Sequence, residues 1–166
     1  RRRTDHSDLH TLAGELALVR GEHEQAATAF EHAATLRPHT SWPATLLALH
    51  GPTKLDQDAL SAQAARLRDA LHKAREPASS WLELALIEAA TGHQADAMHS
   101  IAQAVKNGLR DKDYLLVSTL FQDLRADPAF AAMIDRIGME VHAQREQALT
   151  LPSLPAELRA ALQASP

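Results

Sequence analysis

The spacing of apolar and small residues along this chain is that of α-helices separated by glycine and proline. In the clearest example Ala26, Phe30 and Ala33 stand at i, i+4 and i+7, which places them on one helix face. Small residues on such a face let a second helix approach closely, and Phe30 would fill the space between the two helices. The same periodicity predicts helices over 7–19, 22–36, 57–75, 78–91, 93–107 and 128–149, with short helices around Pro43, around Leu115 and after Pro155.

Capping residues stand at most of the predicted helix ends. Short polar side chains are suited to the first position because they accept hydrogen bonds from unpaired backbone N–H groups. The predicted N-caps are Asp5 or Ser7, Ser79 or Ser80, Asp111 or Asp113, and Asp127 followed by Pro128. Gly51-Pro52 ends the third helix, since proline cannot continue it, and Asn107-Gly108 predicts a left-handed cap after the sixth.

The first two helices resemble a tetratricopeptide repeat, a helix-turn-helix unit of about 34 residues. The residues that carry the resemblance are Gly14, Gly21, Ala26, Phe30, Ala33 and Pro38, and in a second copy Trp81, Ala85, Gly92, Ala97, Ile101 and Ala104. The first copy lacks the large aromatic residue of the first helix, which the second copy has. The resemblance implies an all-α solenoid of stacked hairpins in a right-handed superhelix, a type of scaffold that binds proteins.

A third, degenerate repeat is predicted between these two. Gly21 and Gly92 are 71 positions apart, which equals two periods of about 34 residues plus three. Three extra residues in the turn at 51–56 account for the difference. The predicted organisation is a linker or tail at 1–6, three hairpins within 7–111 (7–40, 41–77 and 78–111), capping helices at 112–149, and a C-terminal linker with a short helix at 150–166.

A second resemblance concerns the end of the chain. The segment 108–147 is similar to the end of tetratricopeptide arrays in bacterial multidomain regulators, including winged-helix sensor regulators and some protein kinases. The matching residues are Leu124, Arg125, Asp127, Pro128 and Phe130. The resemblance implies a C-terminal helical cap and a bacterial parent protein, cytoplasmic or periplasmic. Because the chain opens on Arg1-Arg2-Arg3 without Met, we expect a fragment whose arginines form a solvated end or linker; binding to an acidic surface is the alternative.

Composition narrows the possible functions. Apolar residues make up 45% of the chain and aromatic residues 4%, a mixture that favours close-packed helices. The net charge of −4 gives no broad attraction for nucleic acid or anionic membranes. No apolar run approaches the length of a membrane span, and the chain has no cysteine for disulfides or thiolate metal sites.

Candidate chemistry is sparse. His6 and His10 stand four positions apart, a spacing that can hold a metal, but exposed helical histidines are the interpretation we favour. Glu83 and Glu88 are about 140° apart on a helix and are predicted to lie on the solvated surface. The sequence has no nucleophile motif and no glycine-rich phosphate loop. We therefore predict no catalytic residues, no metal, no cofactor and no enzymatic activity.

The resemblance places partner binding on the concave face formed by the first helix of each hairpin. The matching positions are Asp8, Thr11, Glu15, Leu18, Val19, Ser79, Leu82, Leu86 and Ala89. Such a face, acidic at one end and apolar at the other, is suited to an apolar or amphipathic peptide or a partner domain. Alternatively, Leu18, Leu82 and Leu86 are covered by the long C-terminal helix or by a neighbouring copy. The predicted function is a protein-interaction scaffold or sensory module; the alternative is an architectural segment that self-associates, for example as a homodimer.

Overall fold

The computed structural model describes residues 6–53, 56–73 and 77–164. Over these ranges the chain is all-α, as predicted, and no residue in them is in a strand. The elements are α1 Ser7–Val19, α2 His23–Leu36, α3 Ser41–His50, α4 Gln57–Lys73, α5 Ala78–Ala90, α6 Gln94–Lys106, α7 Lys112–Val117, a 3₁₀ helix Thr119–Leu124, α8 Pro128–Leu149 and α9 Ala156–Ala164. The arginines of the predicted tail, the predicted end of the fourth helix at 74–75 and the last two residues lie outside the described ranges.

The turns that join α1 to α2 and α5 to α6 have the same geometry. Gly21 and Gly92 have φ angles of 73° and 81°, in the left-handed region that glycine adopts without strain. In each turn the next backbone N–H donates back to the first helix, from Glu22 to Ala17 at 2.8 Å and from His93 to Glu88 at 2.8 Å. Two segments 71 positions apart in the sequence therefore form matching helical hairpins.

Small residues line the contact inside both hairpins. The alanines predicted to be buried there are fully buried: Ala26, Ala33, Ala97 and Ala104. Phe30 is also fully buried, and its ring lies against Gly14. A Cβ atom on Gly14 would be 2.7 Å from Cδ1 and 2.8 Å from Cζ of this ring. The absence of a side chain at Gly14 is therefore what allows α1 and α2 to approach so closely.

The middle helices lie beside α5. Helix α3 packs on both α2 and α5, whereas α4 packs on α5 through Leu60, Ala64 and Leu71. The backbones of α3 and α4 approach each other far less closely than those of α1 and α2 or of α5 and α6. Instead, the side-chain amide of Gln63 donates to the Thr45 hydroxyl at 2.7 Å. Helix α3 thus joins the first hairpin to the last, and α4 covers the outside of α5.

The C-terminal elements close the same core. The 3₁₀ helix contacts α1, α5 and α7, α8 packs on α6 and α7, and α9 packs on α8. Leu120, Phe121 and Leu124 of the 3₁₀ helix belong to one buried cluster with Phe130 and Ile137 of α8 and with residues of both hairpins. The region after residue 108 is therefore packed on the hairpins and shares their core.

Several predicted caps are present. The Asp111 carboxylate accepts from the Tyr114 N–H at 2.8 Å, Asp127 accepts from the Ala129 N–H at 2.8 Å, and Gly108 has a φ of 107°.

The caps predicted at Ser7 for α1 and at Ser79 or Ser80 for α5 were wrong, and Asp5, the other residue predicted to cap α1, lies outside the described residues. His6 and Pro77 occupy these positions without a side-chain cap. The hydroxyl of Ser7 points inward and donates to the Ala33 carbonyl at 2.8 Å, because the side chain is buried against α2.

Candidate protein-interaction surface

The apolar part of the predicted concave groove is filled by the chain itself. Leu18, Leu82 and Leu86 are all buried. They share a core cluster with Leu120, Phe121 and Leu124 of the 3₁₀ helix, which contacts both α1 and α5. These leucines are therefore covered within the chain, and the element that contacts both α1 and α5 is the 3₁₀ helix, which the alternative prediction did not name.

The other predicted groove residues lie around this covered region. Asp8, Val19 and Ser79 are exposed, while Thr11 and Ala89 are partly buried. The Thr11 hydroxyl donates to the backbone carbonyl of Ser7 at 3.0 Å, within its own helix. These positions therefore offer a partner a few separate side chains, without the apolar channel that was expected between them.

Glu15 connects α1 to the C-terminal region. The hydroxyl of Tyr114, on α7, donates to Glu15 Oε1 at 3.3 Å. Burial raises the pKa of Glu15, and the hydrogen bond from Tyr114 offsets part of that increase. Burial, together with the nearby charge of Glu15, also raises the pKa of Tyr114. The pair therefore has a structural role that the groove interpretation did not anticipate.

The outer face of α1 carries a row of large apolar side chains. We refer to Leu9, Leu12, Leu16 and Val19 as the outer stripe; these residues are 56%, 54%, 48% and 56% exposed. Their separations of 3, 4 and 3 positions place them on one helix face. The opposite face of α1, which includes Gly14 and Ala17, is buried in the core. Helix α1 is thus apolar on two opposite faces, and the described part of the chain covers one of them.

The spacing of the outer stripe is visible in the sequence, but only Val19 was among the predicted site residues. Gly14 and Ala17 drew attention to the other face of the same helix, because they match the repeat pattern. The usual amphipathic pattern has one apolar face and one polar face. A helix with two opposite apolar faces does not show this pattern, so the pattern does not identify its second apolar face. Counting matches to the 3-4-3 spacing separately from the repeat pattern would have identified the stripe.

The prediction that Glu83 lies on a solvated surface was wrong. Glu83 is 2% exposed and faces α3, where its two carboxylate oxygens accept hydrogen bonds from Ser41 at 2.7 Å and Thr45 at 2.6 Å. Helical spacing could not reveal this environment because α5 is covered on nearly all sides, so that even its polar positions are buried.

The same prediction was wrong for Glu88, which is 1% exposed. Its carboxylate accepts from Arg68 of α4 at 2.6 Å and from Ser100 of α6 at 2.6 Å. The ion pair is asymmetric, since the Arg68 side chain is 43% exposed whereas that of Glu88 is 2% exposed. Both carboxylates of α5 are therefore satisfied within the protein and hold α5 to its neighbours, a structural role.

The histidines do not gather around a metal-binding position. His10 lies with its ring centroid 5.4 Å from that of His32 on α2, while His6 is exposed at the start of α1. Among the residues that the structure describes, no group of three or more histidines, aspartates and glutamates could hold a metal ion.

A surface depression of about 830 Å³ lies between α2 and α3. Its lining includes His23, Glu24, Glu31, Leu47 and His50. It brings together no arrangement of side chains with a definable chemistry.

Comparison of the chain with protein-family models, with curated proteins and with solved structures gives no match. The resemblance to tetratricopeptide repeats therefore rests on the residue spacing described above. Within the described ranges, no helix combines the length and the apolar character that crossing a membrane requires. The candidate site of this protein is thus a surface defined by its own geometry, the outer stripe of α1.

Proposed function

We propose that this chain is a protein-interaction module with a tetratricopeptide-like helical-repeat architecture, and that its partner docks on the outer stripe of α1. The observation that carries the proposal is the stripe itself. Four large apolar side chains, each about half exposed, lie in one row on a helix whose other face is already buried. Contiguous apolar surface of this kind is typical of interaction sites, whereas single exposed apolar residues are not.

The matching hairpins support the architectural part of the proposal. The turns at Gly21 and Gly92 share their backbone geometry and their hydrogen bonds. Fully buried alanines also occupy equivalent positions, for example Ala33 and Ala104. In repeat arrays the exposed faces of a terminal unit are usually polar, because nothing stacks on them. An apolar outer face on α1 departs from that expectation and indicates a surface that is covered in use.

Helix α5 shows what covers the equivalent surface elsewhere in this chain. With the offset of 71 positions, Leu12 and Leu16 correspond to Glu83 and Ile87. Both are buried: Glu83 faces α3, and Ile87 packs with the leucines of α4. Because the fold covers this face of α5 with other helices, the matching face of α1 is suited to a helical partner.

The test is site-specific photo-crosslinking followed by binding measurements with purified components. A photoreactive phenylalanine analogue is placed at Leu9 in the protein as it is produced in its own cells, with Val117 of α7, which is 69% exposed, as the matched control position. We expect an adduct at position 9 that is absent at position 117. The protein in this adduct, which is either a different protein or another copy of this chain, is identified by mass and then purified.

The purified partner is titrated against the wild type and two variants. Leu12→Glu should weaken binding by about tenfold or more, because it places a carboxylate in an apolar contact. Met139→Glu serves as the control, since Met139 is 66% exposed but lies on α8, and should bind as the wild type does. If position 9 gives no specific adduct, or if the partner binds Leu12→Glu as tightly as it binds the control, the proposed function is wrong.

A further inference from the structure

The spacing of the outer stripe is the same from either end of helix α1, so that it is symmetric about position 14. Separations of 3, 4 and 3 positions place Leu9 and Val19, and likewise Leu12 and Leu16, at equal distances from Gly14. A two-fold rotation at the level of Gly14 therefore exchanges the members of each pair. A second α1 helix that runs antiparallel to the first meets all four apolar side chains with four of its own.

We propose that the occupant of the outer stripe is a second copy of this chain, paired through an antiparallel α1–α1 contact with two-fold symmetry. This inference rests on the proposed function, because it names the partner of the same surface. In the pair, Leu9 packs on the partner's Val19 and Leu12 packs on the partner's Leu16. Alternation of 3 and 4 is the spacing of the core positions in a two-helix coiled coil, whose side chains interdigitate along one seam.

The charges beside the stripe are compatible with this arrangement. Asp8 and Glu15 lie along one side of the stripe, and an antiparallel pair brings this side of both copies together. However, each carboxylate has a partner within its own chain. Asp8 is paired with Arg37 at 3.1 Å, and Glu15 accepts the hydrogen bond from Tyr114. The ion pair with Arg37 reduces the repulsion from Asp8, and the hydrogen bond from Tyr114 holds the Glu15 carboxylate toward α7 of its own chain, so that the apolar contact decides the pairing.

A stacked hairpin of the α3–α4 kind suits this surface less well than a second α1. On α5, the residue equivalent to Leu12 is Glu83, which accepts from the hydroxyls of Ser41 and Thr45. The same hydroxyls placed over Leu12 would lose their acceptor, and buried hydroxyls without partners are unfavourable. The outer stripe needs apolar groups opposite both of its central leucines, and another outer stripe supplies them.

The size of the contact sets the expected strength of the dimer. Helix α1 has 13 residues, so the contact extends for about 20 Å along the helix axis. A single helix pair of this length buries less than the roughly 800 Å² per partner of a standard-size interface. We therefore expect a dimer that dissociates on dilution through the micromolar range.

Sedimentation velocity of the full chain, from micromolar to near-millimolar loading concentrations, tests the inference. The wild type should pass from monomer to dimer as the concentration rises. Leu12→Glu and Leu16→Lys should each raise the dissociation constant by about tenfold or more. Both positions are about half exposed, so circular dichroism should show unchanged helix content. Met139→Glu should dimerise as the wild type does.

Mixing the two stripe variants tests the antiparallel register. In the proposed pair, position 12 of one copy faces position 16 of the other, so a mixture of Leu12→Glu and Leu16→Lys forms a heterodimer with one opposite-charge pair and one intact leucine pair. Such a mixture should recover at least half of the wild-type dimer signal at equal total concentration. In a parallel pair, position 12 would face position 12, and mixing would recover nothing.

The outcomes also separate this inference from the proposed function. If the wild type remains a monomer at every concentration, if Leu12→Glu and Met139→Glu behave alike, or if mixing recovers no dimer, the antiparallel pair is wrong. If the chain is monomeric but position 9 crosslinks to a different protein, the proposed function holds and the second copy is not the occupant. If the chain is monomeric and no crosslink forms, both are wrong.

Discussion

Replacing Gly14 with alanine has two opposite effects on the stability of the protein, and the typical size of each is known. Gly14 lies inside α1, where alanine is favoured over glycine by about 1 kcal/mol through helix propensity. The new methyl group, however, would sit 2.7 Å and 2.8 Å from two atoms of the Phe30 ring. The structure therefore decides whether the propensity gain or the steric cost is larger.

The steric cost should be the larger effect. Phe30 is fully buried, so its ring can move only by displacing other core residues or by separating α1 from α2. Overpacking a core in this way typically costs about 1–3 kcal/mol, and three ring atoms lie within clash distance of the new methyl group. Because three ring atoms are involved, the cost should lie in the upper part of that range, about 2–3 kcal/mol. Subtracting the propensity gain of about 1 kcal/mol, we expect Gly14→Ala to lower the free energy of unfolding by about 1–2 kcal/mol. In a chain of this size that corresponds to a melting temperature lower by roughly 2–8 °C.

Gly138 provides a matched control. It lies inside α8, and a Cβ atom there would meet only the Lys112 side chain, at 3.8 Å from Nζ and 4.0 Å from Cδ. These are ordinary van der Waals contacts, so Gly138→Ala should keep most of the propensity gain and stabilise the protein by about 0.5–1 kcal/mol. Urea denaturation followed by circular dichroism gives both free energies. The same substitution should thus have opposite signs at the two positions.

A double variant tests whether the Phe30 ring causes the destabilisation expected for Gly14→Ala. In a Phe30→Leu background the aromatic ring is absent, and Gly14→Ala should become neutral or stabilising. A coupling energy of more than about 1 kcal/mol between the two positions is therefore expected. If Gly14→Ala stabilises the wild type as Gly138→Ala does, or if it is equally destabilising without the ring, then Phe30 does not pack on Gly14 as described.

Three further predictions concern other buried or partly buried positions. Ala33→Leu and Ala104→Leu place larger side chains at fully buried helix contacts and should each lower the free energy of unfolding by about 1–3 kcal/mol; thermal melts like those of the parent would contradict this. Glu88→Ala leaves the Ser100 hydroxyl buried without its acceptor and should cost about 1–3 kcal/mol, while Glu88→Gln, which can still accept from Ser100, should cost less; urea denaturation gives the order. Because burial raises the pKa of Glu15, the ionised carboxylate weakens the folded state, so Glu15→Gln should be more stable than the wild type at neutral pH. That advantage should vanish as the pH falls below the ordinary glutamate value of 4.5, and unfolding free energies measured across this range would refute it by showing no pH-dependent difference.

Helices and their boundaries could be predicted well because local signals set them. The limits of α1 follow from the apolar periodicity and from Gly21, and those of α8 from the cap at Asp127 and from Pro128. The buried alanines could also be predicted, since small residues at i and i+7 on either side of a large residue at i+4 mark a helix-helix contact. These features depend on residues close together in the sequence, where spacing determines geometry.

The candidate site could not be predicted in the same way because it depends on which surfaces the distant parts of the chain cover. Leu18 and Leu82 were expected to line a groove, but the 3₁₀ helix, about a hundred residues after α1, packs on α1 and α5. Glu83 was expected on the surface for the same reason: nothing in its local spacing shows that α3 brings two hydroxyl groups to it. The outer stripe is exposed because no described element packs on that face of α1, and this too is decided by tertiary structure.

The two buried carboxylates of α5 have a consequence for how the chain selects a single arrangement. Helices rich in alanine and leucine offer interchangeable apolar faces, so a helix can turn about its axis or slide by one turn at little cost. Glu83 and Glu88 prevent such a rotation or shift of α5, because either movement would leave a carboxylate without partners among apolar groups. Their partners lie on three different helices, α3, α4 and α6, so α5 is satisfied only when all three are in place. We therefore expect helices α3 to α6 to unfold together in one cooperative step. In many repeat arrays, by contrast, the hairpins unfold one after another from the ends.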